Sequence, residues 1–430
     1  MSRIFLAALA ILLSGLLLAK TKVSKDAVFD HIDSIVKTLS EITGLSEEHP
    51  VPYGWMNKRQ LRQFVSKRIK KTLRPEEIHT DELALKMFGL VPQDFDLRKS
   101  TIDLLTEQAA AFYDYDNKKL YLLQEPSGTE ETTTLAHELA HALADQHFDL
   151  GKYMDETPAN DDENMAHNAV VEGQASWLML AYDLKTAGKD PAPTPDVLKS
   201  VADSSGGSMD DFPVLKSSPL YIQQSLLFPY TEGTLFFAAV YQKMGKRSFS
   251  AVFEDAPVDT TQIIHPDRYF AHIRPANPSL PAVNAPGGRQ ITDGSLGEFD
   301  IEMLLRQYDG ESVSTSLSPH FRGARYQILA VGAEKKPELQ FASEWDTPEQ
   351  AEAFFRAYKK VLTGKWKTCQ WSEEKDNLLA GTGDTGYFVV RVNSLDVDTI
   401  EGLSDAAEWR KSQETATAKS PVQVVFRTRF

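Results

Sequence analysis

His137-Glu138-Leu139-Ala140-His141 sets two imidazoles and a carboxylate within five consecutive positions. They lie inside Glu130–Phe148, a run without Gly or Pro whose composition predicts one unbroken helix. Residues four apart share a helix face, so both imidazoles reach a single ion while Glu138 stands beside its open position. This is the arrangement of a hydrolytic zinc site. The plainer alternative is a helix that carries these residues as surface decoration, since the pattern recurs by chance. Its flanks argue otherwise: Thr134, Leu135, Leu139, Ala140, Ala142 and Leu143 make the helix apolar nearly all round. Ionisable groups on a buried helix need a partner such as a metal.

Catalytic zinc takes three protein ligands and leaves one position for water, so a third ligand must come from elsewhere. Glu172, in Val170-Val171-Glu172-Gly173-Gln174-Ala175, lies 31 residues after His141 in the next helical run. The small Gly173 and Ala175 would let that run approach the histidine helix closely. His147 competes, because HELAHALADQH has metzincin spacing with Ala144 where that pattern has Gly. That Gly turns the chain through a left-handed conformation, which costs Ala roughly 1–2 kcal/mol. If the helix continues, His147 points about 80° from His137 and about 120° from His141 around the axis and cannot converge with them. His167 projects about 140° from Glu172 on its own helix, so only one of the two can face the site. The geometry favours Glu172.

Several elements must hold these residues. Asp26–Ile42 and Asn57–Phe88 are patterned as helices, broken at His49–Trp55. Ala109–Leu123 shows two β-rich runs around the turn formers Asp114–Lys118, a β-hairpin. Through the polar loop Glu125–Thr129 it leads into the histidine helix, and a strand edge in that place can hold extended substrate by backbone pairing. The acidic stretch Met154–Asp162 precedes a long helix, Glu163–Thr186. Its acid cluster (Asp155, Glu156, Asp161, Asp162, Glu163) lacks the spacing of a calcium loop and is better read as solvated. Pro191–Pro219 reads as a surface loop and Arg274–Gly294 as irregular and proline-rich, with helical patterning at Thr231–Lys243 and Leu296–Tyr308. Beyond His320 the order is β-α-β: Tyr326–Val331, Glu338–Phe341, helix Pro348–Leu362, strand Tyr387–Val392. The expected fold class is α+β: a mainly helical zincin-like domain over 20–319 with a small edge hairpin, then a small α+β module over 320–430.

With 430 residues, 42% apolar and 25% charged, a sizeable core is expected. A net charge of −15 speaks against nucleic acid as partner, because phosphate binding needs surplus cations. Lys58–Arg74 departs from this with eight Lys or Arg around Leu61, Phe64, Val65 and Ile69. A docked helix with a solvated cationic face explains it more simply than a helix resting on an anionic surface. Met1–Ala19 carries Arg3 and the apolar run Ile4–Ala19, short for a membrane span and typical of a secretory signal that ends near Ala19. The expected location is secreted or periplasmic. The Lys20, Lys22 and Lys25 that follow leave a retained N-terminal anchor as the alternative, and only then would a membrane be a partner. Cys369 is the only cysteine, so the fold depends on its core and on bound metal, with no internal disulfide.

The stretches Glu107–Asp114 (EQAAAFYD), His137–Leu150 (HELAHALADQHFDL), Val170–Ser176 (VVEGQAS), Phe228–Gly233 (FPYTEG) and Thr260–Tyr269 (TTQIIHPDRY) resemble a family of exported bacterial zinc metallopeptidases of the gluzincin type, over roughly Leu83–Tyr308. The resemblance implies one zinc ion on His137, His141 and Glu172, Glu138 as general base, and a peptide or protein as substrate. Gluzincins often have an acidic residue four positions after the ligand glutamate to orient a zinc histidine. Ser176 stands there in this chain, and Asp145, one turn beyond His141, is the candidate in its place. His265 and Tyr230 are the candidate oxyanion donors, and Tyr269 could substitute for either. Two other functions fit the same residues: a non-catalytic zincin used as a scaffold, against which the intact Glu138 weighs, and a zinc hydrolase of another amide or ester.

Overall fold

The computed structural model describes residues 31–72, 74–123, 130–155, 160–204, 212–283 and 288–411. The expected leader Met1–Ala19 and the loop Glu125–Thr129 lie outside them. The described residues form a mixed α+β protein with a helical majority, as expected, and the chain parts into two compact units, Met1–Arg274 and Pro275–Phe430.

In the first unit, α1 (Ile32–Thr43) turns Ile35, Val36 and Leu39 into the core and stops at Gly44, whose φ of 83° places it in the left-handed region. It packs on the helices Glu130–Phe148 and Asp161–Thr186. The break at His49–Trp55 holds a strand, β1 (Tyr53–Met56). Helices α2 (Lys58–Thr72), α3 (Pro75–Phe88) and α4 (Leu97–Gln108) follow; Pro75 starts α3 where a missing N–H costs nothing, and Asp96 caps α4 by accepting from the Lys99 N–H. The cationic α2 is a docked helix. Leu61, Val65 and Ile69 are fully buried, and Arg68 and Lys71 pair with Asp114 and Asp116 at 2.7 and 2.8 Å.

The hairpin forms as β2 (Ala111–Asp114) and β3 (Lys119–Leu123), antiparallel with Tyr113 opposite Leu120. β1 pairs parallel to β3 on its other side, giving the order β1-β3-β2. The long helix α5 (Glu130–Phe148) packs against β2, then come α6 (Leu150–Asp155) and α7 (Asp161–Thr186). Asn160 caps α7, and Asp161, Asp162 and Glu163 fill its first turn, where the helix dipole favours negative charge. That is the place of most of the acid cluster. The stretch expected to be a loop, Pro191–Pro219, contains α8 (Pro195–Ser204) and α9 (Pro213–Ser217); Glu107 accepts from the Val214 and Leu215 N–H groups at the start of α9. α10 (Leu220–Met244), with Pro229 inside it, lies along α7, and α11 (Ser248–Glu254), α12 (Thr260–Ile264) and α13 (Pro266–Phe270) close the unit.

The second unit has one antiparallel sheet of seven strands in the order β4-β5-β6-β10-β9-β8-β7. These are β4 (Arg289–Gly294), β5 (Phe321–Val331), β6 (Lys336–Trp345), β7 (Cys369–Lys375), β8 (Leu378–Gly383), β9 (Gly386–Asn393) and β10 (Asp396–Leu403). Helices α14 (Glu298–Tyr308) and α15 (Glu311–Leu317) precede β5, and α16 (Pro348–Lys365) packs on β6, β9 and β10. The boundary thus falls at residue 274, not near His320 as expected. The physical reason is β4: the proline-rich stretch delivers a strand that pairs with β5, and this ties everything after it to the second sheet. Among the described residues no helix is long and apolar enough to cross a membrane.

Candidate metal centre

Helix α5 brings His137 and His141 to one side, and α7 runs past them and presents Glu172 from its middle. The His137 Nε2 and His141 Nε2 atoms are 3.1 Å apart, and Glu172 Oε2 lies 3.2 Å from the first and 3.3 Å from the second. The three residues are 1%, 4% and 1% exposed. An ion bound tetrahedrally at ~2.0–2.1 Å needs ligand atoms about 3.3–3.4 Å apart, so the observed triangle is close to the size a small cation requires. Two imidazole nitrogens and one carboxylate oxygen also form a donor set suited to a divalent metal. Among the described residues this is the one group of acidic, His or Cys side chains so arranged.

The same convergence governs the charges. Burial would push the Glu172 carboxyl up, but His141 and His137, by charge and hydrogen bonding, outweigh it and hold the group at about 2. Glu138 behaves in the opposite way. Burial raises it to about 8, with the Glu172 charge adding, against the opposing pull of His137 and of the Tyr113 N–H. That N–H donates to Glu138 Oε2 at 2.8 Å, while Oε1 is buried with no hydrogen-bond partner.

Aromatic rings enclose the centre. The Tyr230 ring stacks on His137 with centroids 6.0 Å apart, and the Tyr115 ring meets His141 edge-on at 6.2 Å. Both phenols are pushed far above their ordinary value by burial and then by the charges of Glu172 and Glu138, so they stay protonated and able to donate. The Tyr230 hydroxyl is buried beside Glu172, whose carboxylate raises it further by hydrogen bonding.

The other sequence candidates take different places. α5 continues through Ala144, so the metzincin turn does not form, and His147 Nε2 meets the Ser46 carbonyl at 2.8 Å. His167 stacks on Tyr153 with centroids 4.5 Å apart, and burial lowers it to about 4 despite a hydrogen bond to the Tyr153 backbone. Asp145 does not orient a zinc histidine; it accepts from the Tyr113 hydroxyl, the Lys118 ammonium and the Leu150 N–H at 2.9, 2.8 and 2.8 Å. Its side chain leans towards the hairpin because β2 and the turn supply donors there. Tyr269 donates to the Asp255 carbonyl, and His265 sits where its charge offsets part of the burial of Glu232. Gly173 faces α10 rather than the histidine helix. A Cβ there would lie 2.2 Å from the Gly233 backbone, and one on Gly233 would lie 2.3 Å from the Ala169 carbonyl oxygen.

Sequence reasoning passed over Tyr113 and Tyr115. Their spacing of two places both on one face of an extended segment, the only sequence signal they gave. The strand edge also differs from expectation: β2 is the outer strand, but its four residues are all buried. No protein-family model, curated protein or solved structure matches the chain.

Proposed function

We propose that this chain is a zinc-dependent metallopeptidase of the gluzincin type, with His137, His141 and Glu172 as ligands and Glu138 as general base. The observation that carries the reading is the buried triangle of ligand atoms beside a glutamate with one unpartnered oxygen. When bound, zinc supplies Lewis acidity, lowering the pKa of a water and polarising a carbonyl. The residues do the rest. Glu138 accepts a proton at Oε1 while Oε2 stays fixed on the Tyr113 amide, then returns the proton to the leaving amine. Tyr230, stacked on His137 with its hydroxyl beside the ligand Glu172, is the donor best placed for the oxyanion. The rings of Tyr115 and Tyr230 exclude water around these groups and strengthen their electrostatics. Met1–Ala19 fits export, so the substrates would be peptides or proteins met outside the cytoplasm.

Turnover of a quenched casein substrate, abolished by a chelator and restored by zinc, tests the reading. Zinc bound at one equivalent with no hydrolysis would leave a scaffold; hydrolysis confined to small amides or esters would move the substrate class.

A further inference from the structure

The outer edge of β2 is already in use. In an antiparallel strand alternate residues turn their N–H and C=O groups to opposite sides. The Leu123 N–H bonds to the Ala110 carbonyl, so 110, 112 and 114 face β3, while Tyr113 turns its N–H outward to Glu138 Oε2. The same residue reaches α5 a second time: its hydroxyl donates to Asp145 Oδ2 at 2.9 Å. Residues 138 and 145 are seven apart, two turns of one helix face. Tyr113 is therefore a strut pinned at both ends to the helix that carries the metal ligands.

The lower pin is itself held. Asp145 Oδ1 accepts from the Leu150 N–H at the start of α6 and from the Lys118 ammonium, both at 2.8 Å. Lys118 occupies the left-handed region at φ 49°, an uncommon place for a residue with a Cβ, in the turn that joins β2 to β3. The turn, strand and helix thus meet at one carboxylate. A glutamate side chain rotates about three bonds, and a single hydrogen bond to one oxygen selects the orientation that leaves the other facing the open side of the centre.

We infer that Tyr113 is the positioning residue of the base, its amide fixing Glu138 and its hydroxyl fixing the amide through Asp145. The inference rests on Glu138 being the base, yet the geometry can be tested without turnover. The full metal-free chain is labelled with 15N-tyrosine, and the Tyr113 amide, assigned by its loss in Tyr113→Phe, is followed in Glu138→Gln. A Tyr113 amide proton that shifts in the variant, with the other tyrosine amides still, is the expected result. An amide indifferent to Glu138→Gln overturns the inference.

The second measurement is on the zinc-loaded chain. Tyr113→Phe keeps the amide and ring but frees the lower pin; it should lower kcat about tenfold, the effect of weakening one hydrogen bond to a charged group, with KM and zinc content unmoved. Replacing the Tyr113 amide by an ester, which deletes the donor and weakens the Phe112 carbonyl in the β2–β3 ladder without removing it, should lower kcat at least as far. Loss of zinc, or a rise in KM alone, would show a structural role and overturn the inference. If the wild-type chain hydrolyses nothing, the peptidase reading fails while the amide result stands by itself.

Discussion

At the scale of single residues, the contest between two third ligands is open to direct measurement. Glu172 lies 3.2–3.3 Å from both histidine Nε2 atoms, whereas His147 is turned to Ser46. Glu172→Ala should lower zinc content below one equivalent and leave the paired imidazoles with weak affinity; His147→Ala should retain full zinc, as read by atomic absorption on dialysed protein. Glu138→Gln should bind zinc normally and lose turnover by about 10²-fold or more, the usual weight of a general base. His137, Glu138 and His141 were legible because spacing on a helix is a property of sequence, whereas Glu172, on another helix, rested on its small neighbours and on the family resemblance. The roles of Asp145 and Tyr113 were not, because a partner 32 residues away across a strand–helix contact leaves no periodic trace.

Among elements, the crossing of α7 and α10 deserves the closest test. A glycine within a helix costs roughly 0.5–1 kcal/mol relative to alanine, so local propensity alone would favour Gly173→Ala and Gly233→Ala. The backbone overlap at 2.2–2.3 Å outweighs that gain, because only main chain is there to yield. Each substitution should lower stability by about 1–3 kcal/mol or more, seen as a reduced melting temperature, and should weaken zinc binding by shifting Glu172. The small residues of VVEGQA did signal close helix approach, but the sequence has no way to say which helix approaches. Elsewhere the long periodic helices and the hairpin were plain from pattern. The strands β1, β4, β7, β8 and β10 were missed: Cys369–Lys375 has only Cys369 and Trp371 as apolar residues, and Leu378–Gly383 ends in glycine and threonine, so neither of these two shows a clear alternation of apolar residues.

For the molecule as a whole, two buried groups, one in each unit, should contribute to stability with opposite dependence on pH. His167 in the first is held at about 4 from an ordinary 6.5, chiefly by burial. The unfolded chain then takes the proton first, so this contribution is lost as pH falls from 6.5 towards 4. Glu338 in the second is raised by burial from 4.5 to about 7. There the folded state keeps a proton that the unfolded chain releases, so this contribution is complete below 4.5 and is lost as pH rises to about 7. Thermal unfolding across this range should show the acid-side slope flattened in His167→Gln and the neutral-side slope flattened in Glu338→Gln.

The short strand at Arg289–Gly294 decides where the protein can be cut. A fragment starting at Pro275 retains all seven strands of its sheet, and should be recovered as a monomer by size exclusion. One starting at His320, where the sequence alone would place the scissors, strips the flank of Phe321–Val331 and leaves a row of backbone donors and acceptors with nothing beside them. Such a row is satisfied most readily by the same row on another molecule, so the shorter fragment should associate or precipitate.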